Sequence, residues 1–296
     1  MKARSLVFLL VLAATLLATA LPVASAEQRG QGGDAFDIGV PAGDAYAPSS
    51  LALDPRGSRA YVYHSVLSNG SAAISVVDLD AGRVDRLLRA GVKSYGAPGR
   101  LLLTPDGKRL LLHEVGGNTV SVVDPQTGAA KKLLDDARDI ALSADGKLIF
   151  VAGAKALAAY PLTDLLAGKE RPKWRSGASF NRLAINGSKL LAAAYASERP
   201  MIVFDAATGT QTARAATPRD MTAFSPGPDG GWGFVVSGEK PRLLRYDAAL
   251  EPLGETPIPY AGSLSYDAGT NRFLAGGWRY DEGDPVSYTH LTLPTN

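Results

Sequence analysis

The sequence predicts an all-β fold, a β-propeller of four-stranded blades, and three observations carry that prediction. Apolar strings broken by Asp-Gly or a related turn recur along the 296 residues. Their turn glycines Gly57, Gly107, Gly146, Gly187, Gly230 and Gly269 stand 50, 39, 41, 43 and 39 residues apart. A second anchor of the type apolar-Asp-x-x-x-Gly follows most of them, ending at Gly82, Gly128 and Gly209. Four short strands in each unit of about forty residues is the pattern of stacked blades, because a lone four-stranded unit cannot bury both its faces.

The units follow in order. In blade 1, LALDPRGSRAYVY and ISVVDLDAG give two hairpins, and the alternation Ala60-Tyr61-Val62-Tyr63 marks strand rather than helix. Blade 2 repeats this as LLLTPDGKRLLLH and VSVVDPQTG. Blade 3 opens with IALSADGKLIFVA, then departs. Tyr160-Pro161 stands where the acidic strand end is expected, and Thr163 to Gly168 reads as a single capped helical turn. Blade 4 is LAINGSKLLAAA with MIVFDAATG, and blade 5 is AFSPGPDGGWGFVV with the weaker anchor LLRYDAAL. Blade 6, LSYDAGTNRFLAG, is expected to hold only its first two strands. Each turn has a reason: Gly, Asn and Asp enter positive φ at little cost. A helical array is excluded, since no unit keeps helical spacing over two turns.

Two ends are expected to stand apart from the fold. Lys2 and Arg4, the apolar run from Ser5 to about Leu21, and Ala24-Ser25-Ala26 have the order of a secretory signal peptide, residues 1–26. Residues 27–48 form an N-terminal segment whose Phe36–Val40 has the place of an outermost strand closing onto the last blade. The propeller is expected over 49–285. Residues 286–296 resemble a translated transposon-end adapter and are expected to be a non-native tail, with an intact parent of seven blades or, as the alternative, six.

Composition narrows the chemistry. There is no cysteine, so disulfides, thiolate metal sites and cysteine nucleophiles are excluded. Lys and Arg exceed Asp and Glu by 31 to 29, and both surplus cations lie in the signal. From Glu27 onward the charges balance, which gives no global field for nucleic acid or a membrane surface.

AYVYHS…AAISVVDLDAG and RLLLHEVGGNTVSVVDPQTG resemble the YVTN-type β-propeller repeat of secreted bacterial proteins, over roughly residues 49 to 280. The resemblance implies the fold and a periplasmic or secreted location. It leaves activity open, because the repeat residues make turns and core.

Aligned on the turn glycines, the residues opening the innermost strands are Ser50, Arg100, Asp139, Arg182, Asp220 and Gly262 or Ser263. Arg100, Asp139, Arg182 and Asp220 thus place alternating charges at the mouth of the expected channel. They form either an ion-pair ring that fixes blade register or a funnel in which arginine clamps a carboxylate or phosphate. His64, Glu114 (beside His113) and Tyr95 are expected on the same face of adjacent blades. A histidine near a carboxylate suits acid-base work, but polar rim residues would look the same. Two histidines on different strand faces make a poor zinc set, and the acidic runs Asp135-Asp136 and 281–284 lack calcium-loop spacing. No catalytic set, metal or cofactor is assigned.

The function expected is therefore an extracytoplasmic, non-catalytic propeller, a monomer that binds a partner protein or small anionic ligand on its funnel face. Nucleic acid and, after signal cleavage, a membrane span are not expected. The alternative is an enzyme: a lactonase-like hydrolase, or the propeller subunit of a periplasmic quinone-dependent amine dehydrogenase, both of which similar propellers serve as.

Overall fold

The computed structural model describes residues 46–66, 71–93, 99–194, 199–258, 262–281 and 284–294. The expected signal peptide, the strand over 36–40 and Tyr95 lie outside them. The chain divides into two compact units, the first ending at Asp135 and the second beginning at Asp136.

The first unit holds two antiparallel meanders. Sheet 1 is β1 (Tyr46–Leu53), β2 (Arg59–Val66), β3 (Ser71–Asp78) and β4 (Arg83–Lys93). Sheet 2 is β5 (Arg100–Leu103), β6 (Leu110–Glu114), β7 (Thr119–Val123) and β8 (Ala130–Leu134). Sequence neighbours are sheet neighbours, so each connection needs only a tight turn. Gly57 and Gly107 supply it with φ of 77° and 71°. Asp54 and Asp106 steady those turns by accepting the backbone N–H of Arg56 and Lys108, at 2.9 and 3.0 Å. The period of two then sets the core. Tyr61, Tyr63, Ile74 and Val76 of sheet 1 pack on Leu101, Leu110, Leu112 and Val123 of sheet 2.

The second unit holds four sheets. Sheet 3 is β9 (Ala137–Leu142), β10 (Leu148–Gly153), β11 (Leu157–Pro161) and β12 (Trp174–Ser176), with α1 (Leu162–Leu166) inserted before β12. The helical turn expected at Thr163 starts one residue earlier. Pro161, at φ −59°, is its N-cap without a side-chain bond, and burial of Leu162 and Leu165 holds it in place. Sheet 4 is β13 (Arg182–Asn186), β14 (Lys189–Ala193), β15 (Pro200–Asp205) and β16 (Gln211–Ala216). Sheet 5 is β17 (Met221–Pro226), β18 (Trp232–Val236), β19 (Arg242–Tyr246) and β20 (Pro252–Pro257).

Sheet 6 differs from expectation. It has three strands, β21 (Ser263–Asp267), β22 (Arg272–Asp281) and β23 (Asp284–Pro294). Residues of the expected tail form β23, pairing from Asp284 opposite Asp281 to Pro294 opposite Arg272. Its first turn differs as well. Asn271, at φ 53°, takes the left-handed position instead of Gly269.

Aromatic residues join these sheets. Trp174 lies between Phe150 and Phe204, with ring centroids 5.9 and 6.0 Å away, and its indole N–H donates to the Ala206 carbonyl at 3.1 Å. Phe273 of sheet 6 lies against Gly233 of sheet 5, where a Cβ would stand 2.6 Å from its ring. Asn186 joins sheets 4 and 5 by donating its amide to the carbonyls of Gly227 and Gly231, at 3.0 and 2.9 Å.

Candidate functional site

In sheets 1 and 2 the polar residues gather at one end, where β1 and β5 begin and β2 and β6 finish. His64, His113 and Glu114 are buried there, together with Tyr63. Strand register sorts them. Tyr63 lies opposite Ser50, and His113 opposite Arg100. Tyr63 and Glu114 have the strand parity of the residues in the core between the two sheets, which includes Tyr61, Leu110 and Leu112. His64 has the parity of Ala60 and Val62, which build a separate cluster on the other face of sheet 1.

His64 and Glu114 thus stand at the same end of adjacent sheets but on different strand faces. They hold equivalent positions in their own sheets, but alternation turns His64 away from sheet 2 and Glu114 toward sheet 1. Tyr63 lies on the face of sheet 1 that packs against sheet 2, the junction toward which Glu114 is turned. Its ring fits the space left by Gly99, where a Cβ would lie 2.6 Å from both the ring and the His113 carbonyl oxygen. The Tyr63 hydroxyl is fully buried and makes no hydrogen bond among the described residues. A buried hydroxyl without a partner costs about 1–3 kcal/mol, so its retention calls for an account.

His64 has a defined contact. Its Nε2 stands 2.8 Å from Ser75 Oγ, one strand away and two residues along the register. Burial, which disfavours the cation, pushes its pKa down to about 4. The ring is neutral near pH 7, and a neutral imidazole can accept the serine proton. Neither His64 nor Ser75 has any exposure, however, so the Ser75 oxygen meets no substrate in this arrangement. No sequence pattern announces this pair, because the two residues are not opposite each other but diagonal.

The remaining candidates belong to the second unit. Asp139 is the third residue of β9 rather than its first, and it is buried. Its carboxylate accepts the N–H of Ile140 at 2.9 Å and that of Leu183, in sheet 4, at 2.7 Å. Arg182 opens β13 as expected and is exposed. Asp220 immediately precedes β17, exposed, at φ 58°, with Arg219 3.8 Å away and its carbonyl accepting the Ser237 N–H at 2.9 Å. A bulge between Met221 and Ala223 follows it, as β1 carries one between Pro48 and Ser50. In the first unit, Ser50 does by hydroxyl what Asp139 does by carboxylate, accepting the N–H of Leu101 at 2.9 Å. Among the described residues no group of three or more His, Asp or Glu side chains is placed to hold a metal ion.

No protein family matches the sequence, and no curated protein matches it. The likeness is to solved structures. One is Kuenenia stuttgartiensis hydrazine synthase, at 16% identity and a TM-score of 0.61, covering 77% of this chain and 73% of that one. A second is a chain of the mitotic checkpoint complex, at 12% identity and a TM-score of 0.67, covering 89% and 82%. The third is the β-propeller domain of Myceliophteria thermophila Cps50 (Swd1), at 13% identity and a TM-score of 0.61, covering 81% and 84%. At such identities the likeness speaks for fold alone. Six meandering sheets and these neighbours agree: the chain is an all-β protein with a β-propeller fold.

Proposed function

We propose that this chain is an extracytoplasmic, non-catalytic binding propeller that takes a small ligand at the strand-end face of its sheets. One observation carries this. Tyr63, His64, His113 and Glu114 are buried at the same end of two adjacent sheets, and among the described residues the Tyr63 hydroxyl has no hydrogen-bond partner. An apolar core does not require that hydroxyl, and burying it is costly unless something hydrogen-bonds there. Arg100, which opens β5 in the same unit, provides a cation that favours a carboxylate or phosphate. The segment over residues 1–26 and the YVTN-type resemblance support a location outside the cytoplasm.

The enzymatic alternative has one observation in its favour, the His64–Ser75 contact. Zero exposure of both groups weighs against it. The test is a thermal-shift and calorimetric screen of small carboxylates, phosphates and sugars against the exported protein. Saturable binding that falls at least about tenfold in Arg100→Ala or Tyr63→Phe, without turnover, is the result expected. Binding untouched by either substitution, or turnover abolished by Ser75→Ala, overturns the proposal.

A further inference from the structure

From Glu27 onward the sequence is neutral overall, yet one segment of the second unit is not. Between α1 and the end of β12, Lys169, Arg171, Lys173 and Arg175 stand within seven residues, with Glu170 the sole acid. All four cations are exposed. Lys169, Arg171 and Arg175 make no ion pair among the described residues, and Lys173 acts electrostatically on Asp205.

The segment is held in one shape. From Arg171 to Ser176, exposed residues alternate with half-buried ones, the pattern of an extended chain with one outward side. Pro172 fixes its own φ and biases Arg171 toward extended backbone. Trp174 points the other way and anchors the segment through its bond to Ala206 and its stacking on Phe204. A Cβ on Gly209 would lie 2.5 Å from the indole, so that glycine is what lets the ring seat. β12 is also the edge strand of sheet 3, ordered β12-β11-β10-β9, and among the described residues the far side of its backbone has no strand partner.

We infer that the strip from Lys169 to Arg175 is a docking edge for an extended acidic polypeptide segment, separate from the strand-end site. Cations on alternate residues of an extended chain lie about 7 Å apart, which is the spacing of carboxylates on alternate residues of a second extended chain. Backbone pairing along β12 supplies part of the affinity, and arginine–carboxylate pairs select the partner. A line of charge one residue wide suits a strand better than a membrane, which calls for a broad basic face. Lysine and arginine also guard edge strands against aggregation, so the test must separate docking from guarding.

The probe is a fluorescent twelve-residue peptide of alternating glutamate and threonine, titrated into the full chain at low and at physiological salt. A peptide of the same composition with all glutamates in one block, a sulfated polysaccharide and vesicles rich in anionic lipid are run beside it. The alternating peptide should bind best, weaken with salt, and lose at least about tenfold in the triple variant R171Q/K173Q/R175Q. The variant Lys131→Gln/Lys132→Gln, on the exposed end of β8 in the first unit, should leave binding unchanged. Circular dichroism verifies that each variant is folded. Tighter binding of the block peptide, the polysaccharide or the vesicles overturns the inference. So does a triple variant that aggregates while the parent protein binds no peptide, since the cations then only guard the edge.

Discussion

The carboxylate of Asp139 reaches out of sheet 3 to accept the backbone N–H of Leu183, 2.7 Å away in sheet 4. The same group holds the Ile140 N–H at 2.9 Å, and Asp139 and Leu183 are both buried. One side chain therefore satisfies two buried donors and ties two inner strands together.

Removing that side chain should orphan both donors. At about 1–3 kcal/mol for each unsatisfied group, Asp139→Ala should lower unfolding free energy by about 2–4 kcal/mol. Asp139→Asn keeps one acceptor oxygen and should lose roughly half as much. Urea midpoints decide the matter, and a midpoint for Asp139→Ala equal to that of the parent refutes the bridging role.

Acid sensitivity should arise first at His64. Its folded pKa of about 4 lies below the ordinary 6.5, so the unfolded chain takes up the proton first. The stabilisation is complete above about pH 6.5 and declines as the pH falls through about 4, by about 3 kcal/mol in all. The carboxylates of Asp54, Asp106 and Asp145 are held below their usual range by hydrogen bonds, that of Asp145 at about 2, and titrate under that window. Denaturation at about pH 7 and about pH 4.5 should show the loss, and His64→Gln should flatten it. An equal pH slope in His64→Gln would locate the effect elsewhere.

Leu250 offers a counterintuitive case. In a turn one residue shorter than those ending at Gly82, Gly128 and Gly209 it takes the last, left-handed position, at φ 65°, yet its side chain is buried in the core between sheets 4 and 5. Restoring the repeat glycine relieves about 1–2 kcal/mol of backbone strain. It also removes a buried leucine, which costs about 2–5 kcal/mol. Leu250→Gly should therefore destabilise by about 1–3 kcal/mol, measured as a lower melting temperature. A gain in stability would mean that strain outweighs burial.

The contact between Gly233 and Phe273 should resist enlargement. Gly233→Ala puts a methyl group 2.6 Å from the ring and should cost about 1–3 kcal/mol through overpacking. Combining it with Phe273→Leu should recover part of that cost, because the smaller side chain vacates the space. Additive losses in the double variant would place the damage in the strand backbone instead.

What the sequence made legible follows from local physics. Five of the six first-hairpin glycines have positive φ, since a tight turn demands it wherever it occurs. Asp124 and Asp205 cap the second anchors through backbone N–H groups two and three residues on, a contact contained within the motif. Contacts between sheets were not legible. The donor that Asp139 serves is 44 residues away, and Trp174 lies 32 residues from the carbonyl it binds. The Tyr63–Glu114 junction needs strand parity in two sheets at once. The bulge between Met221 and Ala223 is likewise illegible, since no residue type announces it.

The polar bridges between sheets also act as addresses. Repeats with one strand pattern can exchange neighbours while the chain is collapsing, a known hazard of such architectures. Here three of the junctions differ in chemistry. Arg86 reaches the Pro125 carbonyl and the Ser50 hydroxyl the Leu101 N–H between sheets 1 and 2. A carboxylate and an indole join sheets 3 and 4, and the Asn186 amide joins sheets 4 and 5. A sheet docked beside the wrong neighbour would leave a charge or an amide buried without its match. Mispaired assemblies are thereby penalised even though their apolar faces would pack, and the order of the repeats is written into the places where they touch.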